Sequence, residues 1–116
     1  MKAIFAIAAC LIGTPAQAEI FSCRNDKIHV QFKIEDGEWY QRASPRYSWH
    51  DMRCGNDGIE CDYGRSVHSW QKTVSATAYS WEFIYVNSGR WVSESNFGSG
   101  HRKLEGTCEI VEDDDA

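Results

Sequence analysis

A hydrophobic leader at the start of the chain decides which of its cysteines take part in folding. Lys2 precedes an apolar run over Ala3–Ile12, and Pro15-Ala16-Gln17-Ala18 matches the small-x-small pattern after which signal peptidase cuts. We therefore expect residues 1–18 to be a signal peptide, which leaves a mature chain of 98 residues that begins at Glu19. The apolar run is shorter than the roughly 20 residues that cross a bilayer, so we expect no membrane span.

A lipid anchor is the alternative interpretation of this leader. Ile7-Ala8-Ala9-Cys10 resembles a lipobox, in which Cys10 would become the lipidated first residue. However, Cys10 comes very early, and the apolar run continues beyond it to a better cleavage site. The leader therefore predicts a periplasmic or secreted protein, with a lipid anchor at Cys10 as the minor alternative.

Export would place the remaining cysteines in an oxidising compartment, where disulfides persist. The mature chain contains Cys23, Cys54, Cys61 and Cys108, which can pair in three ways. We favour Cys23–Cys108, which would link the two ends of the domain, and Cys54–Cys61, which would close a local loop. A zinc site is the rival interpretation, but the chain has no Cys-x-x-Cys pair, and Cys54 and Cys61 are further apart than zinc motifs place their cysteines.

Alternation of apolar and polar residues predicts β-strands at Lys27–Ile34, Ser66–Val74 and Tyr79–Val86, hairpin partners and a last strand complete the set, and no segment after the leader has a convincing helical period. The predicted strands are Lys27–Ile34, Glu38–Arg42, Ser66–Val74, Tyr79–Val86, Trp91–Ser95 and Leu104–Val111. Glu35-Asp36-Gly37 predicts a hairpin turn, because Asp-Gly tolerates left-handed backbone. We expect a single all-β domain over residues 19–111, a small antiparallel barrel or sandwich of about six to eight strands stapled by disulfides.

Two regions are expected to lie outside the sheet. Residues 43–64 contain Ser44-Pro45, which interrupts a strand, and many Gly, Asn and Asp residues, so they predict a long irregular loop. Within it, Asn56-Asp57-Gly58 resembles a fragment of a calcium loop but lacks the full set of ligands, and we interpret it as a turn. Residues 112–116 form an acidic tail of the kind that is usually solvated.

Charge and composition exclude several classes of function. The whole chain has a formal net charge of −5, and removal of Lys2 with the leader makes it −6. Nucleic-acid binding is not expected, because it relies on clustered Lys and Arg. No nucleophile motif occurs, and the four histidines (His29, His50, His68 and His101) are not at metal-ligand spacing. We therefore predict no enzyme activity, no catalytic residue, no metal and no cofactor.

The beginning of the mature chain, Phe21-Ser22-Cys23-Arg24-Asn25-Asp26-Lys27-Ile28-His29-Val30-Gln31-Phe32, resembles that of the periplasmic and membrane-bound inhibitors of C-type lysozyme. These proteins start with an aromatic residue, a cysteine two residues later, a short turn and an alternating strand. The resemblance also includes the chain length and a cysteine near the C-terminus, here Cys108. It implies a small antiparallel barrel, and inhibition of lysozyme by a Ser-Gly-x-x-Tyr element and a later lysine.

Ser88-Gly89 matches the first part of that element, and Lys103 is the matching lysine. The chain departs from the family pattern at Trp91, which follows the glycine one position too early and is not Tyr. It also departs at Leu104, where the family has glycine. The resemblance implies that Ser88, Gly89, Arg90, Trp91 and Lys103 contact the partner.

Three functions are consistent with these features. The first is a protein-binding module of the cell envelope, such as an inhibitor of a lysozyme-type hydrolase. The second is a barrel that binds a small molecule or a glycan, for which Trp49, Trp70 and Trp81 are candidate stacking residues. The third is an accessory or structural protein without a fixed ligand.

Overall fold

The computed structural model describes residues 18–98 and 100–112, and it arranges them in one antiparallel sheet without helices. The strands are β1 (Glu19–Arg24), β2 (His29–Glu35), β3 (Glu38–Arg42), β4 (His50–Asp51), β5 (Ile59–Tyr63), β6 (Val67–Ser75), β7 (Ala78–Tyr85), β8 (Arg90–Phe97) and β9 (His101–Val111). The predicted signal peptide of residues 1–18, apart from Ala18, and the acidic tail from residue 113 lie outside the described residues.

The sheet curves into a half-barrel with the order β4-β3-β2-β1-β9-β8-β7-β6-β5. The all-β, antiparallel prediction is confirmed, but the expected number of about six to eight strands is too low, because the described residues form nine. Strand β1 was not predicted, and β4 and β5 lie inside the segment 43–64 that was expected to be an irregular loop. These two strands form the edges of the sheet. They lack a clear apolar alternation, so pairing with β3 and β6, rather than local pattern, defines them.

The predicted hairpin turn between β2 and β3 is confirmed. Asp36 and Gly37 both have positive φ angles, of 54° and 81°. Two successive left-handed residues form the turn whose twist matches that of the flanking strands. The turn therefore sets the register in which Ile34 lies opposite Trp39, and both side chains enter the core.

The core occupies the concave, inner face of the half-barrel. Its largest fully buried side chains are Trp39, Trp91, Phe32, Ile34 and Ile84. The ring of Phe32 lies edge-on to both Trp39 and Trp91, at centroid distances of 5.5 and 6.4 Å. Because β2, β3 and β8 supply these rings, the two halves of the sheet are joined across its concave side.

Two disulfides complete the fold, with the pairing that the sequence favoured. Cys23 on β1 is bonded to Cys108, directly opposite it on β9, and Cys54 is bonded to Cys61. The first bridge links the N-terminal strand to the C-terminal strand at the centre of the sheet. The second links Cys54, which lies between β4 and β5, to Cys61 on β5. In the same connection, the Met52 carbonyl accepts a hydrogen bond from the buried Trp70 indole at 2.9 Å. Disulfides of this kind indicate an oxidising, extracytoplasmic compartment.

Candidate functional site

Strand β7 turns a row of aromatic side chains away from the core. Glu82 and Ile84 face inward: they lie opposite Trp70 and His68 on β6, and all four are buried. Successive side chains of a strand point to opposite faces. Tyr79, Trp81, Phe83 and Tyr85, which alternate with the inward set, therefore lie on the convex, outer face. We call these four residues the aromatic row.

The rings of the aromatic row support one another along the strand. Tyr79 stacks on Trp81 with a centroid distance of 4.8 Å, and Trp81 contacts Phe83 edge-on at 6.1 Å. The Arg90 guanidinium lies 5.7 Å from the centre of the Tyr85 ring. Each ring is partly exposed. The row is thus a preordered apolar strip that is only partly shielded from water.

Charged groups border the Tyr79 end of the row. Glu94 on β8 accepts a hydrogen bond from the Tyr79 hydroxyl at 3.1 Å and lies 2.9 Å from His101 Nε2. The hydrogen bond with His101 is the main cause that lowers the pKa of Glu94, and Lys103 contributes through its charge. Partial desolvation, and then the hydrogen bond to Glu94, raise the pKa of Tyr79. The carboxylate therefore holds the edge of the row in place.

The predicted Ser88–Gly89 element forms a turn at the opposite end of the row. Gly89 has a φ of 77°, and its amide donates to the Tyr85 carbonyl at 2.8 Å. Its own carbonyl accepts from the Cys108 amide at 2.6 Å, and Ser88 Oγ accepts from the Arg90 amide at 3.2 Å. The disulfide-bonded Cys108 thus anchors the turn, and Ser88 is exposed at its tip.

The other predicted contact residues occupy three different settings. Arg90 is exposed beside the turn and pairs with Glu105 at 3.0 Å. Lys103 is exposed on β9, opposite Glu94, and so belongs to the far end of the row. Trp91 is only 2 % exposed, and its indole lies on the inner face. The structure therefore brings Ser88, Gly89 and Arg90 together and places Lys103 four residue steps (about 13 Å) along the sheet from Arg90. Trp91 is separated from these residues, because it faces the interior.

The three tryptophans proposed for glycan stacking are not brought together. Trp70 is buried, and Trp81 belongs to the aromatic row. Trp49 folds over the outer face of β2 and β3, where the Arg42 guanidinium lies 4.0 Å from its ring centre. Arg42 in turn donates a hydrogen bond to Gln31, which is 2 % exposed.

The two halves of the outer face therefore differ. On β2 and β3 the outer face is covered by Trp49 and Arg42 from the chain itself. On β7 the aromatic row has no such cover among the described residues. The sequence signal for the row was present, because Tyr79, Trp81, Phe83 and Tyr85 alternate at period two. Period-two alternation alone does not indicate which face of the strand is the outer one.

The inner face of β7 carries a buried carboxylate. Glu82 is 9 % exposed and accepts hydrogen bonds from Trp91 Nε1 at 2.9 Å and from Ser93 Oγ at 3.0 Å. Burial raises the pKa of Glu82 to about 7, and the two hydrogen bonds oppose that shift. Nothing in the sequence marks Glu82 as a site residue, since a Glu within an alternating strand is ordinarily solvated.

The calcium-loop fragment and the histidines were the other candidate metal sites. Asp57, in the fragment that resembles a calcium loop, is paired with Arg53 at 3.1 Å. Within residues 18–98 and 100–112, no group of three or more His, Cys, Asp or Glu side chains is arranged to hold a metal. The same residues include no helix long and apolar enough to cross a membrane. The expectation that the protein is not an enzyme stays a prediction.

Comparison of the chain with protein-family models, curated proteins and solved structures returned no significant match. The fold and the sites therefore define the protein only as a disulfide-bonded, antiparallel half-barrel.

Proposed function

We propose that the protein is an extracytoplasmic binding protein that contacts another protein through the outer face of β7 and the adjoining turn. The aromatic row is the observation that carries this proposal. Aromatic residues and Arg are enriched at the centres of protein interfaces, whereas charged side chains other than Arg occupy the rims. The row has this composition, with Arg90 at one end and Glu94, His101 and Lys103 at the other.

The state of the row before binding also favours this function. The rings are already stacked on one another, and the turn is fixed by hydrogen bonds to Tyr85 and to the disulfide-bonded Cys108. A partner would therefore meet side chains that lose little conformational freedom on binding. The periplasmic or secreted location that the leader predicts would supply partners outside the cytoplasm.

A lysozyme-type hydrolase is the first partner to test, because the beginning of the mature chain and Ser88-Gly89 resemble lysozyme inhibitors. Ser88 at the exposed tip of a rigid turn is suited to enter a cleft. Lys103 would then contact the partner at a position about 13 Å along the sheet from Arg90. Trp91 is buried behind this surface, so it would support the surface through core packing and would not contact the partner.

The direct experiment measures hydrolysis of cell walls by a C-type lysozyme in the presence of excess protein. We expect inhibition, and we expect Trp81→Ala and Arg90→Ala each to weaken it about tenfold or more, as truncation of interface anchors does. Tyr47→Ala is the matched control, since Tyr47 is an exposed aromatic residue (58 %) in a loop remote from β7 in sequence. Unchanged hydrolysis would remove lysozyme as the partner.

The wider proposal is tested by cross-linking in an extract of the compartment that contains the protein. A photoreactive group placed at Phe83 should form a discrete adduct with another protein, and Arg90→Ala should reduce the yield of that adduct. The same group at Tyr47 should not form it. Equal labelling from the two positions would show that the outer face of β7 is not a specific binding surface.

A further inference from the structure

The inner face of the half-barrel encloses a cavity that the outer-face proposal leaves unexplained. Its volume is about 250 Å³. One wall is apolar and includes Ile28, Val30 and Phe32, whereas the other carries hydroxyl and charged groups. This combination of an apolar wall and a few converging polar groups is typical of a site for a small molecule.

The strand register shows how the polar groups are layered. Glu82, Ser93 and Leu104 lie side by side on β7, β8 and β9, and the next layer inward contains the buried Trp91. The layer on the other side contains Ser80, Ser95 and Arg102. Since Arg102 is exposed, this layer forms the open side of the cavity. Glu82 therefore lies deep in the cavity, and Arg102 lies near its mouth.

Glu82 and Arg102 are the charged residues among those that line the cavity. Neither forms an ion pair with another residue that the structure describes, and they are not paired with each other. Two strand spacings and two residue steps separate their Cα atoms by about 12 Å. A buried carboxylate without a cationic partner is costly, and it ordinarily takes up a proton or binds a cation.

The remaining hydrogen-bonding capacity of Glu82 suits an ammonium group. Each carboxylate oxygen accepts one hydrogen bond, from Trp91 or from Ser93, and each retains a free lone pair. An ammonium group has three donors, which two carboxylate lone pairs and the hydroxyl of Ser80 or Ser95 could accept. Arg102 near the mouth would, however, repel a ligand that carries only a positive charge. It would attract the other end of a ligand that also carries a negative charge.

We propose that the inner cavity binds a small zwitterion of the amino-acid class, with its ammonium group on Glu82 and its carboxylate on Arg102. The apolar wall contacts the methylene chain between the two charges. The size of the cavity limits the ligand to a small molecule rather than a polymer. This site lies on the face of β7 opposite the aromatic row, so the two proposals are independent.

The test is a calorimetric titration of the disulfide-bonded protein at about pH 8, where Glu82 is mostly ionised. The probes are β-alanine, γ-aminobutyrate, δ-aminovalerate and ε-aminocaproate, with butylamine and butyrate as single-charge comparisons. We expect the zwitterion of one chain length to bind best. Both single-charge probes should bind at least about tenfold more weakly than that zwitterion. At about pH 5.5 the same zwitterion should bind more weakly, because Glu82 is then protonated.

Two variants assign the contacts. Glu82→Gln and Arg102→Gln should each weaken binding of the best probe about tenfold or more. Glu60→Gln and Arg65→Gln are matched controls, because both residues are exposed and neither lines the cavity. Glu82→Gln should keep the fold, since an amide can accept from Trp91 and donate to Ser93; its near-ultraviolet circular dichroism checks this. The proposal is overturned if no probe binds, or if Glu82→Gln binds as tightly as the wild type. Butylamine binding as tightly as the zwitterion would overturn the role assigned to Arg102.

Discussion

The two faces of β7 reverse the usual arrangement of a sheet that has one side in water. An antiparallel strand of this kind ordinarily turns apolar residues toward the core and polar residues outward. Here Ser80 and Glu82 face the concave interior, whereas the four rings of the aromatic row face outward. Ile84 follows the ordinary rule, because it is fully buried on the inner face, but folding does not require polar Ser80 and Glu82 inside or four partly exposed rings outside. The inner face carries polar groups that line a cavity, and the outer face carries partly exposed apolar surface.

The largest expected difference between the faces is in stability. Trp91→Ala removes a buried ring that contacts Phe32 and the Glu82 carboxylate, so we expect a loss of about 3–5 kcal/mol in the free energy of unfolding. Trp81→Ala on the outer face removes a partly exposed ring and should cost about 1 kcal/mol. Urea denaturation measures both. Equal losses would show that the aromatic row is part of the core after all.

Glu82 should make the stability depend on pH. Its pKa is about 7 in the folded protein, above its ordinary value of 4.5, so the folded state retains a proton that the unfolded chain has lost. The free energy of unfolding is therefore largest below pH 4.5, the pKa of Glu82 in the unfolded chain. It decreases by about 3 kcal/mol in total as the pH rises from 4.5 to about 7.

Glu82→Gln checks this assignment, because it removes the titrating group. Thermal or urea unfolding of the wild type and the variant across the same pH range measures the difference. The variant should lack this decline in stability. If its stability falls as steeply as that of the wild type, the dependence arises elsewhere.

Close packing on the inner face should make Gly106 sensitive to substitution. A Cβ added at Gly106, which lies opposite Trp91, would meet the backbone carbonyl of Arg24 and would lie 3.0 Å from the Trp91 ring. We expect Gly106→Ala to cost about 1–3 kcal/mol, as overpacking does. Gly100→Ala is the control, because a Cβ there meets no atom within 4 Å. Similar melting temperatures for the two variants would contradict this description of the inner face.

The smallest effect is expected for the ion pair at the end of the aromatic row. Arg90 and Glu105 are both about half exposed, so their interaction should contribute only about 0.2–1 kcal/mol and should weaken with added salt. A double-mutant cycle with Arg90→Ala and Glu105→Ala measures it. Arg90→Ala should therefore affect partner binding far more than stability. A large, salt-independent coupling would show that Arg90 has a structural role.

The sequence was informative where structure depends on near neighbours. Asp36-Gly37 predicted its turn, because a positive φ is a local requirement, and the six predicted segments correspond to six of the strands. The edge strands β4 and β5 were not predicted, because their pairing partners define them. Of the predicted contact residues, Ser88, Gly89 and Arg90 adjoin in the structure, since they are consecutive in the chain. Trp91 was grouped with them for the same reason, although alternation turns it to the other face.

The sequence by itself determined the strand-forming pattern, the four cysteines that follow the predicted leader and the alternation that separates Tyr79, Trp81, Phe83 and Tyr85 from Ser80, Glu82 and Ile84. Only the tertiary structure decided which of these two sets faces the core. Alternation fixes that neighbouring side chains point in opposite directions, but the curvature of the whole sheet decides which direction is inside. The curvature of the sheet and the contacts with Trp91 and Ser93 on β8 therefore made Glu82 a cavity residue and left the aromatic row on the surface.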